Sequence, residues 1–490
     1  MKNSTLLLPG FHLPTLRRTP RSAKQKLLDE TQQLREKSLS QLSACFNKLI
    51  PKRLLEPETS GKFSRRRIYC KENTFWAFFS QILDADSGCQ EVVRKVQAFS
   101  SVKSRPIPSS STAAYCQARK RLELPNLIDV FQHTSNYLKT KLVTSALLKG
   151  RRIVVVDGTG LSMPDTPENQ AAWPQASNLK QGCAFPQARV CGCYCLNTGA
   201  LLSYEVGNRK NSELPMLRKQ WNTFKPNDIF LGDKLFCSYY DLFSFQKRSV
   251  DSVVTLARRK PIEPSGALKV LGKNDLLVQW KKPVNNKAMS YSYEEWDSLP
   301  ETLTLRQIKV TVDQPGFRTK SFYIITTLLD VDQYPANELA DLYLQRWNVE
   351  LFFRDIKTTM GMDVLRCKTP DMINKEIIMH FIVYNCIRCL MYEAAQNHDV
   401  AVGRVSFKGS VQALRQWESQ LNQVNITHEK RLNLITLLIE SIASYIVPER
   451  PGRREPRAIK RRGRNFQLLT KPRHEMVEIP HRSSYRAKVA

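Results

Sequence analysis

Two short stretches constrain the fold of this chain most. Ile153–Gly160 reads IVVVDGTG, and Ile229–Asp233 reads IFLGD. Short apolar runs of this kind, closed by Asp-Gly or Gly-Asp, read as buried strands with a carboxylate at the carboxyl end. Between them, CGCYCLNTGALLSYEVG reads as a hairpin turning near Asn197–Gly199, and LRKQWNTF as a helix. After them come a helix, SYYDLFSFQKR, and a further strand, DSVVTLARR. Strands alternating with helices give an α/β sheet, in which ligands gather at the carboxyl ends of strands. A strand ending in Asp-Gly is also often just a turn, so neither Asp157 nor Asp233 makes a site alone.

The flanking regions differ in texture. Residues 1–148 read as helical and basic. TPRSAKQKLLDETQQLREKSLSQLSACFNKLIP has apolar residues at helical spacing and stops at Pro51. NTFWAFFSQILDADSGCQEVVRKVQAFS continues this, with Asn73 expected as the N-cap. Two more helices follow, split near Pro125. Their QARKRL face suits phosphate contact, or is an ordinary solvated face. Residues 259–325 read as β-rich, with few helix signals. Helices resume near Pro335 and run to about Val447. The tail is dense in Arg, Lys and Pro and reads as a flexible basic arm.

LYLQRWNVELFFRDIK, from Leu342 to Lys357, reads as one largely apolar helix that nonetheless carries charges. At helical spacing, Tyr343, Arg346, Glu350 and Lys357 fall within an arc of roughly 60°. Leu342, Leu344, Trp347, Val349, Leu351, Phe352, Phe353 and Ile356 fill the other faces. The stripe is either a solvent-facing row with an Arg346–Glu350 pair or the polar wall of a cleft. A helix packed on its other faces favours the cleft. Arg354 and Asp355 lie off the stripe and receive no catalytic role. Two strand-end carboxylates and one helical carboxylate could hold two Mg²⁺ ions, since Mg²⁺ takes oxygen ligands and shares them with substrate phosphates. Two ions about 3.5–4 Å apart serve an in-line phosphoryl displacement.

These residues resemble the DDE transposases of bacterial insertion sequences, in the insertion-sequence-four group. YLQRWNVELFFRDIK fits Y-(2)-R-(3)-E-(6)-K at Tyr343, Arg346, Glu350 and Lys357. VVVDGTGLSMPDTPENQAAWPQ resembles the group's first-Asp region, and FLGDKLFCSYYDL its second. The resemblance implies an α/β chain with a ribonuclease H-like catalytic core and a β-rich insertion, preceded by an all-helical N-terminal DNA-binding region. The divisions expected are 1–148 helical DNA-binding region, 149–258 first part of the core, 259–325 insertion, 326–446 second, helical part of the core, and 447–490 basic tail. It further implies two Mg²⁺ ions, with Mn²⁺ able to substitute, on Asp157, Asp233 and Glu350. Tyr343, Arg346 and Lys357 would contact DNA. In cut-and-paste relatives an aromatic of the insertion stabilises a flipped base during hairpin formation. Trp280 and Trp296 are candidates, each with the alternative of packing the β-rich segment.

Charge supports a polyanionic partner: 75 Lys+Arg against 45 Asp+Glu give a net +30. A hydrophobic fraction of 42% excludes a disordered chain. The twelve cysteines form no paired C-x-x-C motifs, and Cys191, Cys193 and Cys195 alternate as on one face of a strand. They read as reduced, partly buried thiols in preference to a metal cluster. The most apolar run, Ile377–Tyr392, is too short and too polar to read as a membrane span. The expected partner is double-stranded DNA at transposon ends and targets, bound by a homodimer on paired ends in the bacterial cytoplasm at the nucleoid. Two other readings stay open: a DNA-binding protein without chemistry, and a nuclease of the same core without strand transfer.

Overall fold

The computed structural model describes residues 45–448 and 469–475, except 47, 65–66, 85–87, 103–105, 141–147, 210–211, 257–259, 285–291, 312–320 and 422–426. Most of the first expected helix and most of the basic tail therefore lie outside the described residues. Among the described residues, four α-helices precede the sheet: α1 (Lys71–Leu83), α2 (Cys89–Val102), α3 (Ala113–Arg121) and α4 (Leu124–Thr140). The break near Pro125 is found, with Pro125 opening α4. The expected N-cap at Asn73 is not. Cys70 caps α1, and its sulfur accepts from the Asn73 amide. Asn73 instead lies in the first turn, its amide nitrogen donating to the Ile68 carbonyl.

Among the described residues, the sheet has nine strands in the order β3-β2-β1-β4-β5-β9-β8-β7-β6. Its first half comprises β1 (Ile153–Ser162), β2 (Gln187–Cys195), β3 (Leu201–Asn208), β4 (Ile229–Leu231) and β5 (Asp251–Thr255). The β1–β2–β3 meander is antiparallel, whereas β1, β4 and β5 run parallel. Helices α5 (Pro167–Ala172), α6 (Glu213–Arg218) and α7 (Tyr239–Lys247) lie along the connections. The β-rich segment gives β6 (Lys269–Gly272), β7 (Asp275–Lys281), the short α8 (Tyr293–Asp297), β8 (Thr302–Thr311) and β9 (Ser321–Thr326). These strands extend the same sheet, because β9 pairs with β5.

Alternation along the strands sends side chains to two cores. Ile153, Val155, Ile229, Leu231 and Val253 face the first, shared with the N-terminal and C-terminal helices. Val154, Val156, Cys191, Cys193, Cys195, Phe230 and Val254 face the second, against α6 and α7. All described cysteines are free, as the spacing suggested. The C-terminal half supplies α9 (Ala336–Leu344), α10 (Asn348–Arg354), α11 (Pro370–Asn397), α12 (Phe407–Leu421) and α13 (His428–Ser444). By length and composition α11 could cross a membrane, but 94% of its most apolar window is buried inside this protein. It is the axis of the helical layer, packed by α1, α4, α12 and α13. Its Arg388 forms a buried ion pair with Asp355 at 2.9 Å, which gives that off-stripe carboxylate a structural role.

Candidate active site

β4 ends at Leu231, opposite Val155, while β1 continues to Ser162. Beyond Val155 one edge of β1 therefore opens into a notch. Asp157 lies at that notch and, by alternation, points to the same face as Val155. One carboxylate oxygen accepts from the Gly158 amide at 2.8 Å. Asp233, two residues past β4, caps a short 3₁₀ turn by accepting from the Leu235 amide at 2.8 Å. The Asp157 carboxyl is pushed up from 3.8 to about 6. Burial is the main cause. The Gly158 amide and the Arg346 guanidinium pull it down, and the carboxylates of Glu213 and Asp233 push it further up. Asp157 is thus a desolvated acid among other acids, only partly balanced by Arg346.

The expected single helix from 342 to 357 is wound in four pieces. α9 ends at Leu344, a 3₁₀ turn covers Gln345–Trp347, α10 follows, and a π-helical turn covers Asp355–Thr359. Overwinding in the 3₁₀ turn and underwinding in the π turn oppose each other, so the polar stripe survives. It faces the sheet. The Tyr343 hydroxyl meets the Thr255 hydroxyl at 2.9 Å and also bonds Arg346; burial raises its pKa. Lys357 Nζ donates to Thr159 Oγ1 at 3.1 Å, on the β1 face that carries Asp157. The chain then returns to the far end of β1: the Ser162 amide donates to the Asp363 carbonyl at 3.1 Å, and the Leu365 amide to the Ser162 carbonyl at 2.8 Å.

Glu350 stands apart. Its side chain is 49% exposed and touches the buried Arg346 at 3.5 Å. The expected apolar surround is incomplete as well: Trp347 is 48% exposed and Leu351 44%, with Arg346 also stacked over the Trp347 ring. Trp280 and Trp296 take the alternative of packing the β-rich segment. Both rings are buried, at 4% and 6% exposure, in the second core. Each fills the β-rich segment and offers no free face to a flipped base.

Among the described residues, no group of three His, Cys, Asp or Glu side chains closes on one point as a metal site. The donor set nonetheless suits a hard dication. It is all oxygen, and the under-compensated charge at Asp157 is what such an ion offsets. Glu350 is half exposed and pairs with Arg346 at 3.5 Å.

Residues 148–386 match the transposase DDE domain family, a stretch that runs from just before β1 into α11 and contains Asp157, Asp233 and Glu350. The protein is a DNA transposase. Enzymes with this domain cleave DNA, transfer strands and depend on metal ions. The transposase is 26% identical over 340 residues to transposase InsG of insertion sequence element IS4 from Escherichia coli K12, covering 68% of this chain and 72% of the relative. A shorter match, 34% identical over 59 residues, is to the transposase of insertion sequence element IS421 from Escherichia coli; it covers 12% of this chain and 16% of that one. Among solved structures, the piggyBac transposase synaptic complex with hairpin DNA aligns over 82% of this chain and 85% of that one, at 10% identity and a TM-score of 0.43.

Sequence reading missed several residues around the notch. Thr159 and Thr255 anchor Lys357 and Tyr343, and both follow once the strand faces are known. Glu213 is less legible. Nothing in the NSELPML stretch beyond a helix start at Ser212 shows that α6 passes beneath Gly158.

Proposed function

We propose that the transposase acts at the terminal inverted repeats of an insertion sequence of the insertion-sequence-four group, with Asp157, Asp233 and Glu350 as ligands of two Mg²⁺ ions that Mn²⁺ can replace. The observation that carries this reading is the notch beside β1. Asp157, midway along β1, and Asp233, two residues past β4, flank it, and the helix bearing Glu350 packs over the same face. The strand order β3-β2-β1-β4-β5, with β2 antiparallel to β1, supports a ribonuclease H-like core. When bound, the ions would activate the attacking oxygen and stabilise the leaving oxygen. Arg346 offsets the acidic charge at Asp157 while the site is empty of DNA, and Tyr343 holds Arg346 in place. Lys357 and Arg346 then hold scissile-strand phosphates in register. The helical region up to 148 and the tail from 447 bind DNA ends through their basic charge, and β6–β9 form the insertion. The enzyme works as a homodimer on paired ends by cut-and-paste, in the cytoplasm at the nucleoid.

The test is one incubation of the full chain with end-bearing DNA, Mg²⁺ and a target plasmid, reading nicked, hairpin and joined products. Asp157→Ala, Asp233→Ala and Glu350→Ala should each abolish all three products while end binding persists. Normal cleavage by Glu350→Ala would overturn the ligand assignment. Cleavage without joined products would leave a nuclease.

A further inference from the structure

The N-terminal helices and the chain between the π turn and α11 enclose a cleft of about 610 Å³. None of Asp157, Asp233 and Glu350 lines it. Phe78 and Ile82 of α1, with Met360 and Met372 across from them, make its wall apolar. Arg119 and Lys120 of α3 and Lys368 of the returning chain add basic groups. Clefts of this size, apolar with a few placed polar groups, are the usual form of a binding site. Arg119 shows what is missing from this one. Its guanidinium lies over the rings of Phe78 and Tyr115, at 4.8 and 5.2 Å, and donates through one terminal nitrogen to the Gln81 side-chain oxygen at 3.0 Å. Its Nε is buried without a hydrogen-bond partner, and among the described residues Arg119 makes no ion pair. A desolvated cation normally has an anion beside it. Glu376, the carboxylate lining the cleft among the described residues, is already engaged: its oxygens accept from the amides of Arg366 and Cys367 at 2.9 to 3.1 Å. An anion entering from solvent therefore meets Arg119 unopposed, between the exposed Lys120 and Lys368. A DNA backbone matches both features, because its phosphates are anionic and its sugars present apolar edges.

We propose that this cleft holds the backbone of transposon-end DNA, with Arg119 on one phosphate and Lys120 and Lys368 on its neighbours. The proposal rests on the reading that the N-terminal helices bind DNA ends, and it names where. It also gives the returning chain a share in that grip. This chain is fixed to the core, since the Leu365 amide donates to the Ser162 carbonyl and the Thr166 hydroxyl to the Lys368 carbonyl at 2.9 Å. The DNA is then held between the helical region and the segment that leads from the Glu350 helix back to β1.

The experiment measures binding of an end-bearing DNA duplex to the full-length protein in EDTA, across a range of salt concentrations. In parallel, maleimide alkylation of Cys116, a half-buried thiol lining the cleft, is followed by peptide mass spectrometry with and without the duplex. The double variant Lys120→Ala/Lys368→Ala should lower the slope of log affinity against log salt by about two, one for each lost phosphate contact, at an unchanged melting temperature. Arg119→Met should lower it by about one. If Arg119→Met fails to fold, the surface pair carries the test. The duplex should slow alkylation of Cys116 about 10-fold or more in wild type, and less in the double variant. Wild-type salt slopes in the variants, or alkylation that the duplex does not slow, overturn the proposal. Equal protection by inorganic phosphate alone also overturns it, since the cleft would then take a small anion and not DNA. Two failures are told apart by the wild-type binding curve. If wild type does not bind the duplex, the reading of the N-terminal helices has failed and the cleft with it. If wild type and both variants bind with the same slope, only the cleft has failed.

Discussion

Asp157→Asn should make the metal-free protein more stable while destroying its activity. The carboxyl ionises near 6 in the fold against an ordinary 3.8. At 1.36 kcal/mol for each pH step of difference, holding it ionised costs the fold about 3 kcal/mol. Water at the open notch reduces this to about 2 kcal/mol. The sign follows from linkage. The folded value lies above the unfolded one, so the cost is absent below about pH 4 and fully present above about pH 6. In EDTA at about pH 8 the asparagine variant should melt about 2–3 °C above wild type. The gain should shrink steadily as the pH falls toward 4. With saturating Mg²⁺ the order should reverse, because only wild type gains from the ion. The assay is a set of thermal melts at both pH values, with and without metal. If the variant melts at or below wild type in EDTA at the higher pH, Arg346 already balances Asp157 and the charge argument fails.

Other sites separate chemistry from stability. Glu350→Gln should abolish metal-dependent cleavage yet shift unfolding by no more than about 0.5 kcal/mol, since the side chain is half exposed and its contact with Arg346 is long; denaturant melts and cleavage gels together check this. Asp355→Asn should cost about 3–5 kcal/mol in denaturant unfolding by stranding the buried Arg388, and an unchanged midpoint would contradict the pairing. Trp280→Ala should lose about 3–5 kcal/mol of stability as a core truncation. A variant of full stability that lost only the hairpin product would refute its burial. Lys357→Met should lower the salt dependence of DNA binding by about one phosphate contact, read as the slope of log affinity against log salt.

β1, which carries Asp157, and β4, which leads to Asp233, were legible as short runs of buried apolar residues. The β-rich segment was legible for the same reason of pattern, although not that its strands would join the main sheet. The helix at 342–357 was legible as a stripe and misread as a continuous cylinder. Periodicity averages over a 3₁₀ turn and a π turn that oppose each other, so it cannot reveal either. Burial of Trp280 and Trp296 depends on what α8 and β8 pack against, and a tryptophan in a β-rich stretch carries no sign of which side it faces. Glu213 was invisible because its neighbour, Gly158, lies 55 residues earlier, and only the fold brings a helix start under that glycine.

The return of the chain after the π turn ties two quantities together. Lys357 grips β1 at Thr159, and residues 363–365 grip it again at Ser162. The outer half of β1, paired along one edge with β2, is therefore also held by the same segment that would hold the DNA. Any pull on Lys357 is transmitted along the strand toward Asp157, two residues from the first grip. Substrate hold and ligand alignment then behave as one mechanical setting. Variants selected only for tighter DNA at this segment should emerge with a changed metal requirement, because the strand cannot be moved at one end alone.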